Sequence, residues 1–238
     1  TQYTMNDIAD LGLLKIDFLG LRYLTVIYDA ARDSGINVSD IPLDDKDTYR
    51  LLGEGKTNGV FQLESAGMKS LLMRMKPQNI EDITIAISLY RPGPMESIPK
   101  FLENRKNPDK ITYADKRLES ILSVTNGCIV YQEQVMQIFR SLAGYSFGRA
   151  DIVRRAMAKK KKDVMQAERQ YFLYGKKSED GKTECVGAVA NGVPEEKAAE
   201  IYDDMAAFAQ YAFNKSHAAA DAQPILKFIF PHNIWLLF

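Results

Sequence analysis

The strongest constraint on this chain is the run of helix-starting and helix-stopping residues between Asp44 and Pro94. Asp44 or Asp45 can cap a short helix ending near Gly53, because a side-chain oxygen there accepts from the unpaired amides of a first turn. Ser65 can cap a second helix through Lys76, and Pro77 stops it. Asn79, with Glu81 and Asp82 in the first turn, starts a third that runs to Arg91-Pro92-Gly93-Pro94, where prolines remove amide donors and break the helix. Further on, Val135, Ile138, Phe139 and Leu142 place an apolar stripe along 131–143. Two basic helices are expected over about 148–160 and 163–173, and a polar, glycine-containing loop over 175–192. Pro194 then opens an amphipathic helix to about Phe208. Only residues 13–19 read as a strand: Leu14, Ile16 and Phe18 alternate with Lys15 and Asp17, and Gly20 leads into a helix ending at Gly35. The expected fold class is mainly α with a small β portion.

At 238 residues the chain can bury one large core or two smaller ones. Lysine and arginine balance aspartate and glutamate at 31 each, which argues against a simple polycation but not against a local basic face. Cys128 and Cys185 are far apart and form no CxxC pair, so a disulfide framework or zinc ribbon is not expected and a reducing cytoplasm fits better. His217 and His232 are too few for a histidine-rich metal site. The first residues show neither a basic nor an apolar leader segment, and the absence of an initiator methionine suggests a start inside a longer protein. The apolar stretch 228–238 is interrupted by Pro231, His232 and Asn233 and is too short to span a bilayer, so no membrane partner is expected.

Five places carry candidate chemistry. Asp17, on the polar side of the expected strand beside a glycine turn, can hold a hard divalent cation, or can simply pair with Lys15 at the surface. The basic segment Arg149, Arg154, Arg155 and Lys159 to Lys162 sets Arg155, Lys159 and Lys162 in one helical row and Arg154 with Lys161 beside it, while Val153 and Met157 face a core. Two cationic rows suit a triphosphate or a DNA backbone, since a guanidinium fork grips phosphate oxygens in pairs; the bland alternative is a solvated face. Arg91 is fixed by the Pro-Gly-Pro turn that follows it. Gln132, in Tyr131-Gln132-Glu133-Gln134 at an expected strand-to-helix junction, can read a nucleotide or cap the helix. Phe213-Asn214-Lys215-Ser216-His217 gathers a ring, an amide, a cation and an imidazole, or forms a turn capped by Asn214 or Ser216. Gly55-Lys56-Thr57 resembles the end of a P-loop, but Arg50 stands where that motif needs glycine.

The stretches LLKIDFLGLR (13–22), GVFQLESAGM (59–68), YRPGPM (90–95), YQEQVMQI (131–138), the arginine–lysine segment (154–162) and FNKSHAAA (213–220) together resemble the bacterial C-family replicative DNA polymerases, in the family's order. The resemblance implies the C-terminal strand of a palm over 1–22 and a helical fingers domain over 23–220. It implies nucleotidyl transfer from a dNTP to a primer 3′-hydroxyl by a two-metal, Mg²⁺-dependent route, on primer–template DNA. Asp17 would be the metal-site, catalytic carboxylate. Arg154 and Arg155 would hold the incoming triphosphate, extended by Lys159, Lys160, Lys161 and Lys162 toward phosphates or template. Arg91, Gln132, Lys215 and His217 fall inside family motifs of the fingers, as nucleotide- or DNA-facing residues. Other replicase subunits and the sliding clamp would be met through regions outside this chain.

Departures from the family's pattern are Ala158 and Ala212, where glycine is expected, and the lack of the two paired upstream aspartates. The chain alone is therefore expected to be inert. After Ala220 the resemblance stops, and 221–238 reads as an unassigned apolar tail that would invite aggregation if exposed. The rival readings are a non-catalytic DNA-binding helical module and a helical interaction domain with a wet lysine face.

Overall fold

The computed structural model describes residues 2–14, 16, 21–158, 162–209 and 211–235. Its helices, in chain order, are α1 (Met5–Asp10), α2 (Arg22–Asp33), α3 (Lys46–Gly53), α4 (Ala66–Met75), α5 (Ile80–Leu89), α6 (Ile98–Lys106) and α7 (Glu119–Leu122). They continue with α8 (Gln132–Ala143), α9 (Phe147–Ala158), α10 (Lys162–Tyr174), α11 (Glu195–Ala209) and α12 (Lys215–Trp235). A short antiparallel hairpin, β1 (Lys176–Lys177) with β2 (Thr183–Cys185), lies between α10 and α11. The chain is thus mainly helical with a small β portion.

The caps fall where side-chain chemistry puts them. Asp45 accepts from the Thr48 amide at 2.8 Å, Ser65 from Met68 at 3.3 Å and Asn79 from Asp82 at 3.0 Å, so α3, α4 and α5 begin at the residues the sequence marked. Lys76 closes α4 in a left-handed conformation just before Pro77.

Two apolar cores organise these elements. The first gathers Leu52, Leu72, Ile83, Ile87, Phe101 and Ile225, from α3, α4, α5, α6 and α12. The second gathers Phe139, Val153, Phe172, Cys185, Tyr202 and Met205, from α8, α9, α10, α11 and the hairpin. Tyr131 belongs to the first core and Val135 to the second, so the start of α8 joins the two.

Two expectations are corrected here. Of the expected strand 13–19, Leu13, Leu14 and Ile16 are 58%, 87% and 69% exposed and belong to no strand, while 15 and 17–19 lie outside the described residues; β structure appears inside the segment expected to be a loop, 175–192. A strand needs a partner strand, and among the described residues the 13–19 segment pairs with none; the Leu13 amide instead donates to Ile8 O at 3.1 Å, closing the end of α1. The unassigned apolar stretch from 221 is helical as far as Trp235: α12 runs through it, lies along α5, and buries Ala218, Ala222, Ile225, Leu226 and Ile229. Their spacing of four, three, one and three is a helical stripe. Among the described residues no helix is long and apolar enough to cross a membrane.

Buried tyrosines give the cores an alkaline limit. Burial pushes the Tyr49 hydroxyl up to about 12, with Asp44 adding to the effect, and burial likewise raises Tyr131, Tyr145 and Tyr202. A group raised on folding contributes stability that is complete below its unfolded value, about 10 for tyrosine, and lost as pH climbs through the folded one. Tyrosinate absorbance at 295 nm should therefore rise in two steps, the second coinciding with loss of helical circular dichroism near pH 12. A single step near pH 10 with the helices intact would contradict this.

Candidate functional site

α9 is set by its neighbours on both sides. Gly144 ends α8 in a left-handed turn at φ 73°, and Ser146 then accepts from the Arg149 amide at 3.2 Å to start α9. Ala150, Val153 and Met157 are buried against α8, α10 and α11, as the expected core face requires for the last two.

The arginines of α9 divide into two kinds. Arg154 donates from Nε and Nη2 to Asp151 Oδ1 at 3.1 and 2.8 Å, with its side chain 14% exposed. Arg155 reaches Asp151 Oδ2 at 2.5 Å and is 67% exposed. The hydrogen bond from Arg154, and then that from Arg155, holds the Asp151 carboxyl below its ordinary range against the opposing effect of desolvation. Arg149 turns inward. It pairs with Glu168 at 2.8 Å and with Glu184, and its guanidinium stacks on Tyr145 and Tyr171 at 5.1 and 5.6 Å. Arg149 is thus not part of an outer cationic face, and the segment is less free of acids than its own sequence suggests. Asp151 sits inside it, while Glu168 and Glu184 arrive from α10 and β2. Asp17, Lys159, Lys160 and Lys161 lie outside the described residues; Lys162 begins α10.

A second group forms where α8 begins. Tyr131 and Phe213 make an isolated parallel bridge, with the Gln132 amide donating to Phe213 O at 2.9 Å. Gln132 Nε2 donates to Ala212 O at 2.8 Å. Glu133 accepts from Asn214 Nδ2 at 3.0 Å and from the Lys215 amide at 3.2 Å, while Asn214 caps α12 by accepting from the His217 amide at 2.9 Å. Lys215 Nζ lies 2.8 Å from Glu81, and the Arg91 guanidinium sits 3.6 Å above the Phe213 ring. His217, 63% exposed, meets Asp221 at 3.2 Å, and Asp221 also accepts from Gln62 Nε2 at 3.0 Å.

Stretches 59–68, 90–95, 131–138 and 213–220 therefore converge in space. Gln132 does not point out to a ligand: it holds the 211–217 turn, as Glu133 does. Arg91 braces Phe213 by stacking on its ring. The turn that follows Arg91 packs tightly too, since a Cβ on Gly93 would come within 2.3 Å of Tyr211 Cγ. His217 is exposed, so a solute can reach its side chain. Sequence reasoning missed Glu133, Asp221 and Gln62 as positioning partners.

Away from both groups, a cleft of about 890 Å³ opens between the cores, bounded by Glu96, Lys100, Tyr113, Lys197, Asp204 and Tyr211. Desolvation pushes the Asp204 carboxyl up, and Lys100 partly offsets it. Among the described residues no three histidine, cysteine, aspartate or glutamate side chains are grouped to hold a metal ion.

Helix α9 lies inside a stretch that matches a family of polymerase finger domains. The model of the bacterial DNA polymerase III alpha subunit finger domain matches residues 20–180, so the chain belongs to that family. It is similar to the DNA polymerase III subunit alpha of Staphylococcus aureus (strain Mu50 / ATCC 700699), with 45% identity over 226 residues, covering 92% of this chain and 20% of that protein. Against the DNA polymerase III subunit alpha of Staphylococcus epidermidis (strain ATCC 12228 / FDA PCI 1200) the identity is 43% over 246 residues, covering 99% and 22%. The chain thus spans about a fifth of the length of the curated relatives it matches.

Proposed function

We propose that this chain works within a template-directed replicative DNA polymerase, with residues 23–220 as fingers and 1–22 as the end of the palm. What carries the reading is the arginine pair of α9, set on a helix anchored in the second core and inside the span that the finger-domain family matches. In the proposed reaction the primer 3′-hydroxyl attacks the α-phosphorus of the incoming dNTP and pyrophosphate leaves. The charge that spreads over the phosphate oxygens calls for fixed cations.

Arg154 and Arg155 fill that role in this reading. Asp151 holds both forks in a set pose before the nucleotide arrives, which lowers the cost of ordering them. Lys159 would extend the grip on the triphosphate, and Lys160, Lys161, Lys162 and Lys215 the grip on DNA. Arg91 and Gln132 act through the turn they brace, presenting His217 to the nucleotide. Mg²⁺ would supply charge neutralisation at the phosphates. The described residues do not themselves fit such a site, and Asp17 would bring one carboxylate to a site completed elsewhere in the polymerase. The chain by itself should then bind but not polymerise. Sliding clamp and other replicase subunits would be engaged by other parts of the polymerase.

The test is a titration of labelled primer–template DNA with the chain at low and moderate salt, with and without Arg154→Ala/Arg155→Ala. Binding should weaken steeply with salt, and the double variant should lower the salt slope by about two, one per lost phosphate contact. Circular dichroism and single Arg155→Ala, at the exposed position, separate this from misfolding. Equal affinity and slope in all three proteins would defeat the reading.

A further inference from the structure

We infer that the outer face of α9 is a base-stacking platform for single-stranded nucleic acid, built on Phe147 and flanked by Arg140 and Arg155. The inference rests on the reading of this chain as a DNA-handling fingers region and assigns a residue to one part of that task.

Phe147 is the first residue of α9 and is 55% exposed, an unusual place for a ring in a chain that buries Phe101, Phe139 and Phe172 completely. The Gly144 turn and the Ser146 cap hold it there rather than letting it fold back into the second core. Residues 147, 148, 151, 152 and 155 share one side of α9, opposite the buried Ala150, Val153 and Met157. Along that side Ile152 is 68% exposed, and a Cβ on Gly148 would meet nothing within 4 Å. The approach over the first turn is therefore open.

The charges beside the ring choose its partner. The Arg140 guanidinium, from α8, lies 5.1 Å from the Phe147 ring centroid. Arg155 stands two turns further along the same side. Asp151, the sole carboxylate in α9, is bonded by both Arg154 and Arg155, so its charge is already met. An aromatic ring with one guanidinium over it and a second two turns along the same side suits a stacked nucleobase whose phosphates meet those cations. An apolar protein surface would bury both guanidinium groups without supplying any counter-charge of its own. Duplex DNA hides its base faces in the stack, so the occupant is an unpaired strand.

The experiment uses a single-stranded oligonucleotide carrying 2-aminopurine, whose fluorescence reports stacking, titrated with the chain and with Phe147→Ala, Phe147→Trp and Arg154→Ala/Arg155→Ala. The wild-type chain should change the fluorescence. Phe147→Ala should abolish the change and weaken binding about 5- to 150-fold, the weight of one stacked base, with the salt slope kept. Phe147→Trp should restore both, whereas the arginine pair should lower the salt slope and spare the fluorescence change. If Phe147→Ala behaves as wild type while the arginine variant loses primer–template binding, the platform is wrong and the polymerase reading stands. If the wild-type chain leaves the fluorescence unchanged, the platform is likewise wrong, and the primer–template titration decides the polymerase reading separately. A concentration-dependent dimer that Phe147→Ala dissolves would overturn the platform in favour of a contact between copies.

Discussion

Replacing Arg105 with leucine should lower the unfolding free energy by about 3–5 kcal/mol, because it strands a buried carboxylate. Arg105 Nη1 and Nη2 each donate to Asp82 at 2.7 Å, and Nε donates to Met75 O at 3.1 Å. Asp82 is only 6% exposed and also accepts from the Gln78 amide at 2.8 Å. One guanidinium from α6 therefore ties the end of α4 to the start of α5. With the arginine gone, Asp82 keeps one amide partner and loses its counter-charge away from water. A chain of this size loses about 2–4 °C of melting temperature per kcal/mol, so a drop on the order of 10 °C is expected in a thermal melt. Asp82→Asn/Arg105→Leu should recover part of the loss, since no ion is then left alone. If the double variant is as unstable as the sum of the singles, the ion pair is not the source of the effect.

That pair also supports the site. Glu81, next to Asp82, receives the Tyr131 hydroxyl at 3.2 Å and lies 2.8 Å from Lys215 Nζ. A loosened start of α5 would release both. Arg105→Leu should thus blur the 211–217 turn even in protein that stays folded.

Local chemistry explains what could be read from the sequence. Asp45, Ser65 and Asn79 each act on an amide three residues away, so the starts of α3, α4 and α5 needed no knowledge of the fold. Val153 and Met157 followed from helical spacing in the same way. The roles of Arg149, Gln132 and Glu133 did not, because their partners are distant in the chain. Glu168 lies 19 residues from Arg149 and Glu184 lies 35, while Glu133 acts on a backbone amide 82 residues on. Each side chain can serve a ligand or a neighbouring loop equally well until the loop is in place. The motifs marked the right region. The geometry then divided its members into those that hold the 211–217 turn and those that face outward.

The β-hairpin was hidden for a different reason. Strands of two and three residues are too short to show alternation, and their polar residues, flanked by Gly175 and Gly181, read as a loop. The helix α12 was legible in principle, since 218, 222, 225, 226 and 229 recur at helical spacing. Pro224 and Pro231 both lie inside α12 and disfavour a helix there. Proline costs about 3 kcal/mol in a helix interior, and here the buried apolar stripe outweighs it.

Gly187→Ala should be among the most damaging single changes in the chain, and the reason returns to the basic helix. Gly187 has φ +91°, and a Cβ there would stand 2.4 Å from Gly175 N and 2.6 Å from Tyr174 C. Both obstacles are backbone, so no rotamer change can relieve them. The left-handed conformation alone costs about 1–2 kcal/mol for a residue with a Cβ, and separating two backbones adds to it. Gly181 supplies the control, with φ +78° and nothing within 4 Å of its built Cβ. Gly181→Ala should show the conformational cost by itself. Gly187→Ala should lose several further degrees of melting temperature, at about 2–4 °C per kcal/mol. The amides of Val186 and Gly187 both donate to Ala143 O, at 3.1 and 3.0 Å, fastening the hairpin to the end of α8. From that hairpin Glu184 reaches Arg149 inside α9. Displacing it should free Arg149 and shift the helix that presents Arg154 and Arg155. DNA affinity should therefore fall in Gly187→Ala below its own melting transition, and stay unchanged in Gly181→Ala. Equal melting temperatures for the two variants would show that the close approach of Gly175 and Gly187 does not constrain the fold.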